Sequence, residues 1–178
     1  KAPSNARAHY GMGTAYAYKG RLGEAMHEFK ESIRLAPLYP DPFNALGLAY
    51  YKNKMVEDAV LQYKKALEID PSHRDARYNL ALLYQEQGMT DEPIKEYNDL
   101  LQRHPDDFDS LNNLGLAYFR KGMFAEAIEQ YKKVIIIDPQ SVAACNNMGM
   151  VYAVMGQENE AMRWFNKALS IQPDSAET

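Results

Sequence analysis

The sequence predicts an all-α solenoid of ten helices in five antiparallel pairs, and three observations predict it. Laid out in blocks of 34 residues from Ala6, Pro40, Arg74, Phe108 and Val142, the chain brings its tyrosines into one column: Tyr16, Tyr50, Tyr84, Tyr118 and Tyr152. Small residues fill two more columns, Gly13, Gly47, Ala81, Gly115, Gly149 and Ala25, Ala59, Pro93, Ala127, Ala161, and each block closes on a proline, Pro37, Pro71, Pro105, Pro139 or Pro173. Within a block, apolar residues recur at helical spacing, as in Leu111, Leu114, Tyr118 and then Ile128, Tyr131, Ile135, so each block holds two helices with one apolar stripe apiece. Five registers in agreement without an insertion mean stacked supersecondary units.

Residues 1–5 read as a lead-in, with Ser4 or Asn5 available to cap the first helix, and residues 176–178 as a tail. Between them the repeats occupy 6–39, 40–73, 74–107, 108–141 and 142–175. Their helices are expected over 6–19, 23–36, 40–53, 57–69, 74–87, 91–104, 108–121, 125–137, 142–155 and 159–171. Gly20, Gly88, Gly122 and Gly156 suit the left-handed residue that ends a first helix, whereas Lys54 must turn the same corner without a glycine. The closing prolines stop each second helix, having no amide hydrogen to give and restraining the residue before them. Short connections then force antiparallel neighbours, and a small residue facing another lets the two backbones approach.

Composition narrows the function. A net charge of −4 over 178 residues, with 46% hydrophobic content, leaves no basic stripe for nucleic acid, so the expected partners are proteins or peptides. The longest uncharged run, 139–157, is broken by Gln140, Ser141, Asn146, Asn147 and Gln157, and no membrane insertion is expected within the chain. Cys145, alone, allows no internal disulfide and reads as a packing residue. His9, His27, His73 and His104 fall in four registers without a metal-binding pairing. With no phosphate-binding glycine loop, no paired cysteines and no HExxH, nothing points to an enzyme, a cofactor or a metal.

The columns resemble the tetratricopeptide repeat (TPR) family over residues 6–175: a large and a small residue on the first helix, then alanine, an aromatic and proline on the second. The resemblance implies a right-handed superhelix whose first helices line a concave groove. Facing it would be Asn79, Asn113 and Asn147, with Asn44, Asn112 and Asn146 just before that register. Beside them would run Leu48, Leu82, Leu116 and Met150, then Tyr51 with Phe119, and Tyr18 with Lys52, Glu86, Arg120 and Val154. A side-chain amide both donates and accepts, so a column of asparagines can hold an extended peptide backbone while the apolar residues select its side chains. The column is similar to the asparagine ladder of O-linked N-acetylglucosamine transferase repeat regions, though these residues hold no transferase catalytic domain. It departs from the chaperone-binding members, which use Lys and Asn one turn apart where this chain has Tyr10 and Thr14.

The expected function is therefore a non-catalytic interaction scaffold or adaptor that holds an extended peptide. Its alternatives are a self-assembling scaffold on an organelle or membrane surface, of the magnetosome-associated type, and the recognition arm of a larger enzyme. The expected location is cytoplasmic, with any membrane association through a partner. Trp164 stands where the other repeats have Glu28, Gln62, Glu96 and Gln130, a register that reads as outward-facing. With Ala168 and Ile171 it forms an expected association stripe, accessible in the monomer and buried in a homo-oligomer.

The third repeat departs most from the pattern, with Ala81 for glycine, Pro93 for alanine and Leu100 for a small residue. Pro93 follows Thr90, an expected cap, and so falls in the first helical turn, where a missing amide is tolerated. Three bulkier residues at one seam make the junction of repeats three and four the expected soft point of the array. Amides from Asp91 to Asn113 should then exchange faster than those of the flanking repeats, and uniform protection would rule the soft seam out.

Overall fold

The computed structural model describes residues 3–171. Pro173 and the expected tail lie outside the described residues. Among the described residues there are ten α-helices and no strand: α1 (Ser4–Tyr18), α2 (Leu22–Leu35), α3 (Pro40–Lys52), α4 (Val56–Ile69), α5 (Arg74–Glu86), α6 (Asp91–Leu101), α7 (Phe108–Arg120), α8 (Phe124–Ile137), α9 (Val142–Val154) and α10 (Glu158–Ile171). The chain divides into two compact units, Lys1–Leu83 and Tyr84–Thr178, with the division inside α5.

In the first unit α1 packs on α2 and α3 on α4, and α2 meets α3. The pairing is set by an aromatic ring lying on a glycine. A Cβ built on Gly13 would come within 2.6 Å of the Phe29 ring, and one on Gly47 within 2.7 Å of Tyr63. Both rings are buried, as are Ala25 and Ala59 beneath them. Ser32 ties the first pair further, its hydroxyl donating to the Ala6 carbonyl at 2.7 Å. Phe43, Ala66 and Ala76 form a core cluster that Ile33, Leu67 and Ile69 cover.

The second unit repeats the arrangement with α7 on α8 and α9 on α10, while α6 meets α7 and α8 meets α9. Gly115 and Gly149 each lie 2.6 Å, measured from a built Cβ, from the rings of Tyr131 and Phe165. One cluster joins Ala127 and Tyr131 to Met148 and Val151, and another joins Leu111, Val134 and Ala144. Two first helices carry side-chain caps: the Asp107 carboxylate accepts from the Ser110 amide and the Ser141 hydroxyl from that of Ala144. Between repeats, Asp70 and Asp138 fold back to accept the amides of Ser72 and Gln140, tightening the turns around Pro71 and Pro139.

Several local expectations are corrected. Ser4 and Asn5 do not cap α1, because the helix begins at Ser4 with Pro3 before it and no side-chain cap bond. Thr90 precedes α6 but makes no cap bond either, its backbone being helical rather than extended. Helix α6 stops at Leu101, three residues short of expectation and two short of the register at which α2, α4, α8 and α10 end. There the Arg103 amide reaches back three residues to the Leu100 carbonyl, a tighter bond than the helix uses, and Leu100 itself is buried.

The corner expectation holds. Gly20, Gly88, Gly122 and Gly156 have φ between 73° and 78°, and Lys54 takes φ 61° in the same place. A left-handed residue with a Cβ costs about 1–2 kcal/mol, part of which glycine gives back through its freer unfolded chain. Lys54→Gly should therefore raise stability by about 0.5–1 kcal/mol, and an unmoved or lowered urea midpoint would show that the corner carries no such strain.

Candidate peptide-binding face

In the first unit the expected face is built by α3 and the first part of α5. Asn44 and Asn79 do not stand free: the Asn79 amide nitrogen donates to the Asn44 side-chain oxygen at 3.0 Å. Their separation of 35 residues, one more than the repeat, makes the bond a diagonal one between successive first helices. Leu48 is exposed and Leu82 half-buried beside them, and with Tyr51 they border a small cavity of about 50 Å³ floored by Tyr63 and Leu83. Tyr18, at the last position of α1, is 94% exposed. The face thus offers apolar contacts around an amide pair that keeps the Asn79 side-chain oxygen, one Asn79 amino hydrogen and both Asn44 amino hydrogens for further bonds.

The second unit holds the same device on α7 and α9. Asn147 donates to the Asn112 side-chain oxygen at 3.1 Å. Asn113 is half-buried and Asn146 exposed. Leu116 and Phe119 are half-buried, with the Phe119 ring tilted against Phe124 at 5.9 Å, and Met150 is exposed. Arg120 is committed elsewhere, its guanidinium donating to the Gln85 carbonyl at 3.1 Å near the end of α5. That bond adds a second donor to a carbonyl that already accepts the Gly88 amide, and it draws a cation to the negative pole of the helix.

Sequence reasoning passed over Gln85. It shares its register with Tyr51 and Phe119, yet it is buried, and its side-chain oxygen has no hydrogen-bond partner among the described residues. A glutamine on an amphipathic helix ordinarily reads as solvated, so only the register of its aromatic counterparts signalled burial.

The Trp164 register is also corrected. Gln62 and Gln130 are buried, and Glu28 turns inward to His9, 2.6 Å away. Trp164 itself is half-buried, packed on the cluster around Tyr131 and Met148 with the Lys167 ammonium over its ring at 5.1 Å. Ala168 is buried as well. The exposed apolar residues of α10 are instead Met162 and Leu169, at 63% and 55%. They lie seven residues apart, on one face.

The remaining reactive groups are structural in placement. Cys145 is buried, and that burial pushes its thiol above the usual range. The His73 ring lies 3.8 Å from the Asp41 carboxylate. Among the described residues no three His, Cys, Asp or Glu gather to hold a metal, and no helix is long and apolar enough to cross a membrane.

Known proteins agree with this architecture. Family models of the tetratricopeptide repeat match residues 13–54 and 56–88, 78–142, and 118–177. No curated protein sequence matches the chain. Among solved structures, a MamA protein is 25% identical, with TM-score 0.87 over 97% of this chain and 94% of its own. MamA from residue 41 onward of Desulfovibrio magneticus RS-1 is 20% identical, with TM-score 0.90 over 99% and 100%. YrrB, described as a TPR protein with an unusual peptide-binding site, is 21% identical, with TM-score 0.82 over 94% and 86%. The repeat columns, the ten helices in register and the family matches together establish that this chain belongs to the tetratricopeptide repeat family.

Proposed function

We propose that the protein is a non-catalytic interaction scaffold that binds extended peptide segments of a partner against its first helices. The observation that carries this reading is the recurrence, in each unit, of a cross-helix asparagine pair flanked by accessible apolar side chains: Asn44 and Asn79 beside Leu48, and Asn112 and Asn147 beside Leu116 and Met150. Each pair fixes its amides in direction, so that the remaining donor and acceptor meet a peptide backbone with little ordering cost. The solved structure of YrrB, with its peptide-binding site, supports the same use of the fold. Replacing Asn113 and Asn147 together by Ala should weaken a peptide seated on this face about tenfold, at about 0.5–1.5 kcal/mol for each lost hydrogen bond. Loss of the Asn147 to Asn112 bond should also lower stability by about 1 kcal/mol. Unchanged affinity for a peptide located on this face by crystallography would end the clamp reading.

A second reading, assembly between copies of the chain, is favoured by the face of α10 that carries Met162 and Leu169. Large apolar side chains in the open are used most readily by another apolar surface. Light scattering should show mass rising with concentration, and Met162→Glu with Leu169→Glu should hold the protein monomeric. A mass constant with concentration in the unaltered protein would remove this reading. Trp164, half-buried already, should change its emission only slightly on association.

A further inference from the structure

The opposite side of the second unit carries a cleft of about 540 Å³ between the second helices α6 and α8. Three departures from the repeat register meet there. First, α6 ends at Leu101, two residues before the register at which the other second helices end, and the turn after it supplies Pro105 and Asp106 to the lining. Second, the residue over the column tyrosine is short: Lys30 lies over the Tyr50 ring at 5.6 Å, whereas the equivalent Asn98 only donates to the Tyr118 hydroxyl at 3.3 Å and leaves that tyrosine on the cleft floor. Third, Ile136 stands where the other repeats have Arg34, Glu68, Gln102 and Ser170, and it is 79% exposed. A lone exposed isoleucine means little. Here it joins Ile137, Leu101 and Pro105 at one end of a single depression.

Toward the start of α8 the lining is acidic, with Glu126 and Glu129 from its first half; Asp106, next to Pro105 in the turn after α6, adds a third carboxylate, against one ammonium. That ammonium, on Lys133, is already engaged by Glu129 at 3.0 Å and by the Gln130 side-chain oxygen at 3.3 Å. No basic residue occupies the last turn of α8, so that turn brings no cation to the negative pole of the helix. From Glu126 to Ile136 the lining passes from acidic to aliphatic over about 15 Å of helix.

We propose that this cleft is a second docking site, separate from the first-helix face, for a partner protein segment that sets two or three large aliphatic or aromatic side chains beside lysine or arginine. The aliphatic side chains would fill the end formed by Leu101, Ile136 and Ile137, and the cations would face Glu126 and Glu129. Charge complementarity selects this occupant. The chain's own final residues, 172–178, carry Asp174 and Glu177 and no lysine or arginine, so they do not complement the cleft.

The test is selection of a displayed random 12-residue peptide library on the full chain, with binders re-assayed as synthetic peptides against Ile136→Asp and against Glu126→Lys with Glu129→Lys. These positions are at the surface, and circular dichroism of each variant verifies its fold. Peptides rich in Leu, Ile or Phe with Lys or Arg are expected, bound tenfold or more weakly by either variant and more weakly as salt rises, yet indifferent to Asn113→Ala with Asn147→Ala. Binders that lack basic residues, or that respond only to the asparagine variant, would overturn the proposal. So would self-association abolished by Ile136→Asp, which would assign the cleft to a second copy of the chain.

Discussion

The contact on which the rest of the structure depends is an aromatic ring pressed against a position that has no Cβ. Where Phe29, Tyr63, Tyr131 and Phe165 meet Gly13, Gly47, Gly115 and Gly149, a methyl group would sit 2.6–2.7 Å from ring carbon, closer than van der Waals contact allows. The glycine weakens its own helix by about 0.5–1 kcal/mol. Burying the ring returns about 1.5–3 kcal/mol. The exchange is favourable, and it also fixes the distance between the helices of a pair. The surfaces borne by these four pairs, on either side, inherit their spacing from that contact, whereas the pair of α5 and α6 has Ala81 in the place of the glycine.

This coupling explains why the fold could be read from the sequence and the face only in part. A close contact between two positions of one repeat must recur at the same positions in the next, so Gly13 to Gly149 and Tyr16 to Tyr152 form visible columns. The corner at Lys54 was legible for the same reason, since four glycines elsewhere stated the conformation that the lysine had to adopt. The asparagine pairs were half legible. Their column was visible and their place on the first helices could be expected, but a bond between Asn44 and Asn79 spans 35 residues and so runs across the columns rather than along one.

The errors have a common physical origin, which is that polarity of a side chain was equated with exposure. Gln62 and Gln130 are polar and buried, because a glutamine can lay its methylenes on a core and direct only its amide outward; Lys133 accordingly donates to the Gln130 oxygen. Glu28 is drawn inward by His9. With those three removed from the outer surface, Trp164 in the same register is a packing residue, and the open apolar positions of α10 fall at Met162 and Leu169. Residue type alone could not show this, since Met162 and Leu169 look like ordinary core residues in an amphipathic pattern. The early end of α6 was equally hidden: Leu101 to His104 contains no strong helix breaker before Pro105, and at the turn the Leu100 carbonyl accepts both the Arg103 and the His104 amides.

Positions that hold the array together are constrained by packing in every repeat, so recognition has to be sought where repeats differ. The register of Tyr18, Lys52, Glu86, Arg120 and Val154 shows how such a position can be used in two ways. Tyr18 stands almost wholly in solvent, while Arg120 reaches back to the Gln85 carbonyl and serves the fold. Variation in sequence is thus necessary for a recognition position and insufficient to identify one; the side chain must also be left without a structural task. Met150 and Ile136 meet both conditions, since each is exposed and neither fills the core of its own repeat, while Leu48 is exposed but keeps the leucine of Leu82 and Leu116. They lie on different sides of their helix pairs, Leu48 and Met150 on first helices and Ile136 on a second helix. A fold whose helix spacing is set internally by glycine and ring leaves both of its sides open to such changes, because neither side is needed to keep the pairs together.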